Sequence, residues 1–373
     1  MEVDDQVVEW RRHLHRHPEP SFEEHETARF VAETLEGLGG LNVERPTETS
    51  VLARLSTGRP GPTVALRADI DALPIAEESG VEFASERPGL MHACGHDGHT
   101  AMLLGAAREL LAQELPGGEI RFLFQHAEEL APGGARDMVA AGVMDGVDLV
   151  YGCHLWTPLE YGKVVARPGP FMAAADFFKL TVTGRGGHAG LPHTADDTIA
   201  AAAAIVTGLQ HIVARRIDPL QPAVVTVGSL HAGDAPNVIP GEAVLTGTTR
   251  SFDAATREQL PRLIEQVATS VAAAHGTSAE LDYRFGYTPV VNDPTATALV
   301  QDAIGDRLAD LKPIMGGDDF SAFLQHAPGC YAFIGAGGEF PHHHPRFRID
   351  ERALALGTRL HVQVALQALG EMT

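Results

Sequence analysis

Residues 91–100 read MHACGHDGHT: a thiol, an acid and three histidines, separated by glycines. A single histidine is more often a structural residue than a ligand, but a cluster shifts that balance. Cys94 and His96 lie two apart, and in extended chain residues at that spacing point the same way, so both can converge on one ion. A thiolate is a soft donor and imidazole a borderline one, a pairing suited to zinc and its neighbours. The apolar residues that follow, Met102, Leu103, Ala106, Ala107 and Leu110, recur at helical spacing, so the cluster is expected in a loop opening onto a helix. Three chemistries fit: a closed structural metal site, an open catalytic one, or a cysteine nucleophile paired with a histidine.

Further donors fall at the ends of short apolar runs. Asp69 and Asp71 follow residues 63–66, Glu128 and Glu129 follow 120–124, Cys153 and His154 follow 149–152, and His342, His343 and His344 follow 331–335. Helical stretches separate these runs, which gives an α/β fold on a mostly parallel sheet. Ligands of such sheets bind beyond the carboxyl ends of the strands, so the four groups of donors are expected to converge. A structural zinc site closes with Cys and His and leaves no carboxylate spare. A cysteine nucleophile has no use for a pair of glutamates. An open catalytic metal site uses both, one Glu binding metal and the other moving protons.

The remaining sequence supplies the frame. Ser21 and Glu24 have the spacing of a capping box for a helix that Gly39 and Gly40 can end. Near Ala175 the pattern changes to strand 177–183, helix 194–215, strands 223–230 and 243–250, helix 255–275 and strand 279–285. That βαββαβ order is the ferredoxin-like arrangement. The expected organisation is a discontinuous catalytic domain, 1–175 and 288–373, interrupted by a smaller inserted domain, 176–287. A chain of 373 residues has room for both. It is expected to contain no apolar run of membrane-spanning length and no signal-peptide pattern. A net charge of -21 disfavours nucleic acid and anionic membrane as partners. Three cysteines cannot make a disulfide framework and point to a reducing cytoplasm.

Taken in order, RRHLHRHPE with SFEE, LRADIDALP, HACGHDGHT, FQHAEE, GCHLW, GRGGHAGLPH, NVIP, GGDDFS and HHHPRF resemble the M20 metallopeptidases nearly end to end. The likeness is to the amidohydrolase branch of aminoacylases, hippurate hydrolases and plant auxin-conjugate hydrolases. It implies a pair of divalent ions, zinc or manganese with cobalt or nickel also acceptable, held by Cys94, His96, Glu129, His154 and His343, with Cys94 between the ions. Glu128 becomes the general base, and Asp69 an acid that orients a ligand histidine. The inserted domain resembles the family's lid and dimerisation domain. There His188 would polarise the scissile carbonyl or stabilise the oxyanion, from within the chain or across a homodimer or higher homo-oligomer. Asn237 and Arg250 would hold the substrate carboxylate. The sequence departs from the family at Arg67, where other branches place a His ligand, at Arg348, where Asp is common, and at His126, where the branch has Pro. His126 is expected to face solvent.

The implied reaction is hydrolysis of an N-acyl amino acid by a water that the two metal ions activate. A dipeptidase or carboxypeptidase acting on short peptides is the alternative within the class. A catalytically inactive metal-binding protein is the alternative outside it, and the intact Glu128–Glu129 pair argues against that, since storage needs no spare base.

Overall fold

The computed structural model describes residues 4–372, and the chain divides into two compact units. The first runs to Phe171 and is completed by Val290–Lys312 and the stretch from Asp319 onward; the second is Met172–Pro289 with Pro313–Asp318. That last segment lies outside the expected insertion. It joins the second unit because Ile314 bridges Met172 and the Gly316 carbonyl accepts the Ala173 N–H at 2.8 Å.

The first unit is built on a seven-stranded sheet in the order Asn42–Glu44, Val51–Ser56, Glu119–Gln125, Thr63–Asp69, Leu149–Trp156, Gly329–Gly335, Val164–Val165. The central four strands are parallel. The outer pairings are antiparallel. Strands buried on both faces read as continuous runs rather than alternating ones. They also extend past their apolar letters: Arg67 and Asp69 lie inside Thr63–Asp69, and Cys153 and His154 lie inside Leu149–Trp156, instead of following these strands. Helices His96–Leu111 and Arg352–Glu371 pack on each other and on the sheet. They approach so closely at Gly357 that an added Cβ would collide with the Met102 sulfur.

The expected capping box does not form. Helix His25–Leu38 begins at Glu24 with no side-chain cap, because the Ser21 hydroxyl instead donates to Asp71 Oδ2 at 2.7 Å. Gly39, at φ 70°, ends the helix as expected.

At the centre of the sheet lies a fully buried guanidinium. Arg67 Nε donates to Gln125 Oε1 at 2.7 Å, Nη1 to Asp69 Oδ2 at 2.6 Å and Nη2 to Asp319 Oδ1 at 3.1 Å. Asp319 also accepts the Gln125 side-chain amide and the Ala135 N–H. Arg67 is thus a structural cation of the sheet.

The second unit has a four-stranded antiparallel sheet in the order Ala223–Ala232, Glu242–Ser251, Ala174–Thr183, Ser278–Tyr287. Helices Thr198–Arg215 and Ala254–Ala274 pack on each other and on this sheet, which gives the βαββαβ chain order. Thr198–Arg215 corrects the expectation that no apolar run reaches membrane-spanning length, since by length and composition it does. Its Ala201, Ala202, Ile205, Leu209 and Ile212 are buried in the core of this unit, at the three- and four-residue spacing of a helix packed along one side.

Removing the Arg67 charge tests how far the sheet depends on it. Arg67→Met leaves Asp69 and Asp319 buried without their shared cation, at a cost of about 3–5 kcal/mol. Denaturant unfolding of the metal-free protein should reveal this as a lowered midpoint; a change below about 1 kcal/mol would mean the two carboxyls simply take up protons.

Candidate metal centre

Cys94 and His96 converge, though not by the extended-chain geometry expected of them. Gly95 between them adopts φ 94°, a left-handed conformation that a side chain resists, and His96 opens the helix His96–Leu111. The chain therefore turns sharply, and the two side chains meet donors from other strand ends. Cys94 Sγ lies 3.4 Å from His154 Nε2, His96 Nε2 lies 3.8 Å from Glu129 Oε1, and Glu129 Oε1 lies 3.1 Å from His343 Nε2. Among the sets of ligand-type atoms whose members all lie within 4.8 Å of one another are Cys94, His96 and His154; Cys94, Glu129 and His343; and His96, Glu128 and Glu129. Cys94 belongs to the first two sets.

The His96 and His154 imidazoles are each held by one nitrogen, which leaves the other for a metal. His96 Nδ1 contacts the Asp71 carbonyl at 2.9 Å and Asp71 Oδ1 at 3.1 Å. His154 Nδ1 donates to the Leu155 carbonyl at 2.8 Å. His343, in the left-handed region at φ 63°, is pinned by its N–H to the Ala93 carbonyl at 2.9 Å. Its neighbours are committed elsewhere. His342 donates to the Leu155 carbonyl at 2.8 Å and stacks on Trp156. His344 accepts the Arg346 N–H at 3.0 Å and stacks on Phe340. His99 also stands close to Asp69 and His96, but both its nitrogens are used: Nδ1 meets Asp69 Oδ1 at 2.6 Å, and Nε2 accepts the Leu155 N–H at 2.8 Å. It has no lone pair left to give.

Two expectations need correction. Asp69 bonds His99 and Arg67 and stands 3.8 Å from His96 Nε2; the acid that orients His96 is Asp71, which also accepts the Glu129 N–H at 3.0 Å. Asp71 is visible in the sequence as a strand-end acid, but its letter does not tell which of two acids two residues apart reaches the ring. His126 does not face solvent. It is 3 % exposed, with its ring against the edge of Phe22 and Nε2 3.8 Å from Asp137, because the Ala135–Ala140 helix closes over it.

The electrostatics fit a divalent cation. Burial, then Glu129 and Glu128, push the Cys94 thiol well above its usual range. Burial lowers the His96 pKa, but Asp69, Asp71 and Glu129 outweigh it and hold the ring up at about 10. Burial and the neighbouring His99 and His342 keep His154 well below the normal imidazole range, so it is neutral. His96 Nε2 and Glu129 Oε1 are buried with no hydrogen-bond partner among the described residues. A cluster of carboxylates beside a thiol and imidazoles, with His96 Nε2 and Glu129 Oε1 buried 3.8 Å apart, is suited to metal.

The remaining candidates belong to the second unit. His188 is exposed on the short strand Gly187–His188, which pairs with Val238–Ile239, and the Asn237 carbonyl accepts the Ala189 N–H at 3.0 Å. Arg250 is half-buried in Glu242–Ser251, where Nη1 donates to the Thr249 carbonyl at 2.9 Å.

Residues 65–367 match the profile of Peptidase family M20/M25/M40. The N-acyl-L-amino acid amidohydrolase of Geobacillus stearothermophilus is 56% identical over 293 residues, covering 78% of this chain and 79% of the relative. Thermostable carboxypeptidase 2 of Saccharolobus solfataricus is 41% identical, with 98% and 96% covered. Among solved structures, a dinuclear metal-binding peptidase of the M20 family from Bacillus subtilis superposes with a TM-score of 0.87 at 35% identity, over 99% of each chain.

The cysteines separate ligand from packing. Cys94→Ser should weaken metal binding by at least tenfold, whereas Cys330→Ser, far from any donor set, should leave it unchanged; titration with a metal-sensitive dye measures both. Equal losses would reduce both thiols to packing.

Proposed function

Because this chain belongs to the M20/M25/M40 peptidase family, we propose that it is a metal-dependent amidohydrolase that cleaves the amide bond of N-acyl amino acids. The observation that carries this reading is the pair of ligand sets joined at Cys94, with Glu128 beside them. Cys94, His96, Glu129, His154 and His343 would hold two divalent ions, zinc or manganese. Bound there, such ions acidify water and draw electron density from a carbonyl oxygen. Glu128 takes a proton from the attacking water and passes it to the amide nitrogen as the C–N bond breaks and the new C–O bond forms. The products are a carboxylate and a free amino acid.

The second unit acts as lid and dimerisation domain. His188 polarises the scissile carbonyl, while Asn237 and Arg250 hold the substrate carboxylate, the latter by its planar fork. Three free, buried cysteines accord with a reducing cytoplasm. A relative named as a carboxypeptidase, 41% identical, keeps release of a C-terminal residue from short peptides as the alternative. Side-by-side turnover of N-acetyl amino acids and dipeptides decides between them, and faster dipeptide hydrolysis would reverse the preference.

Elemental analysis of saturated protein should find two ions per chain, and one tight ion alone would refute the paired centre. The two glutamates should separate cleanly. Glu128→Gln should retain both ions and lose on the order of a hundredfold or more in turnover. Glu129→Gln should lose metal and regain part of its activity at high metal concentration. The reverse pattern would exchange their roles.

A further inference from the structure

Glu24, the last residue of the SFEE motif, contributes to no donor set, yet it is fully buried, 0 % exposed. Its Oε1 accepts the Ala127 N–H at 2.7 Å, across 103 residues of sequence. Ala127 immediately precedes Glu128, and at φ 50° it is one of three non-glycine residues in the left-handed region among those described. The others are His343 and Phe22. A backbone held there costs free energy and persists only where surrounding contacts enforce it. Here the contacts are visible: Glu24 grips the Ala127 N–H, the Gly134 N–H donates to the Ala127 carbonyl at 3.1 Å, and Asp71 grips the Glu129 N–H at 3.0 Å. Buried carboxylates thus hold the amides on either side of Glu128.

We propose that Glu24 is a positioning residue that keeps the Ala127 turn in its left-handed conformation and thereby aims the Glu128 carboxylate. The proposal rests on the reading of Glu128 as general base. Asp71 cannot isolate the effect, because it also holds His96. Glu24 isolates it better, because its Oε1 bonds the Ala127 amide and none of the five proposed ligand side chains, although its charge also acts on Asp71. A buried backbone N–H that loses its acceptor is costly, and the Glu24 carbonyl-type oxygen accepts it even when the acid is protonated, burial and Asp71 having raised its pKa to about 7. A displacement of about 1 Å in a catalytic group can cost about a hundredfold in rate.

Three readouts on the full-length chain test this. In Glu24→Ala, kcat for an N-acetyl amino acid should fall at least about tenfold, with KM and metal content each within about twofold of the parent. Glu24→Gln keeps an oxygen that accepts the same N–H and should restore most of kcat. Independently of activity, hydrogen exchange of the Ala127 amide in the metal-free protein should accelerate at least about tenfold in Glu24→Ala and much less in Glu24→Gln. Loss of metal in parallel with kcat, equal damage from Gln and Ala, or unchanged Ala127 exchange would each overturn the proposal. If the parent protein fails to hydrolyse N-acyl amino acids while Ala127 exchange responds as described, the substrate assignment falls and the turn-holding role of Glu24 stands.

Discussion

Buried carboxylate is the constraint around which the first unit is arranged. Asp69, Asp71, Glu128 and Asp319 all lie out of water near the carboxyl ends of the central strands. A buried anion without a partner costs several kcal/mol. Arg67 answers for the inner part of the cluster, pairing Asp69 and Asp319 within the sheet. The outer part, around Cys94 and Glu129, has the imidazoles of His96 and His343 beside it. There burial lowers the His96 imidazole, but the neighbouring acids raise it to about 10. The same excess of negative charge that the sheet core neutralises with a guanidinium is left at the rim for a cation from outside.

Orientation follows from the same acids. Asp71 contacts one nitrogen of His96 and accepts the Glu129 N–H, so two side chains from different segments are set by a single carboxylate. Ser21 in turn fixes Asp71, which explains why the serine serves the centre rather than its own helix. His99 links Asp69 to the Leu155 amide and thus ties the site helix to the strand that carries His154.

Much of this was legible in the letters. Donor types grouped at the ends of apolar runs announced a convergent site, because parallel strands buried on both faces have continuous apolar runs and present their loops at one end. The βαββαβ order was legible for a similar reason: its sheet has one covered face, so strands such as Phe177 to Thr183 alternate. What was not legible was which polar residue meets which. Cys94 and His96 looked like an extended pair, and only the left-handed Gly95 reveals the turn that joins them. Asp69 and Asp71 are interchangeable as letters, and their duties differ because the strand ends between them. His126 looked like a loop residue, although a short helix closes over it.

Two of the thiols have a use outside the chemistry of the site. Cys153 and Cys330 lie on adjacent parallel strands at the middle of the sheet, at 2 % and 0 % exposure. Burial pushes each of them up to about 12, so neither reacts while the sheet is closed. An alkylating reagent reaches them when the packing around those two strands opens. The rate at which the native protein takes up label at these positions is therefore a clock for the opening of its central sheet, built into the chain without any added probe.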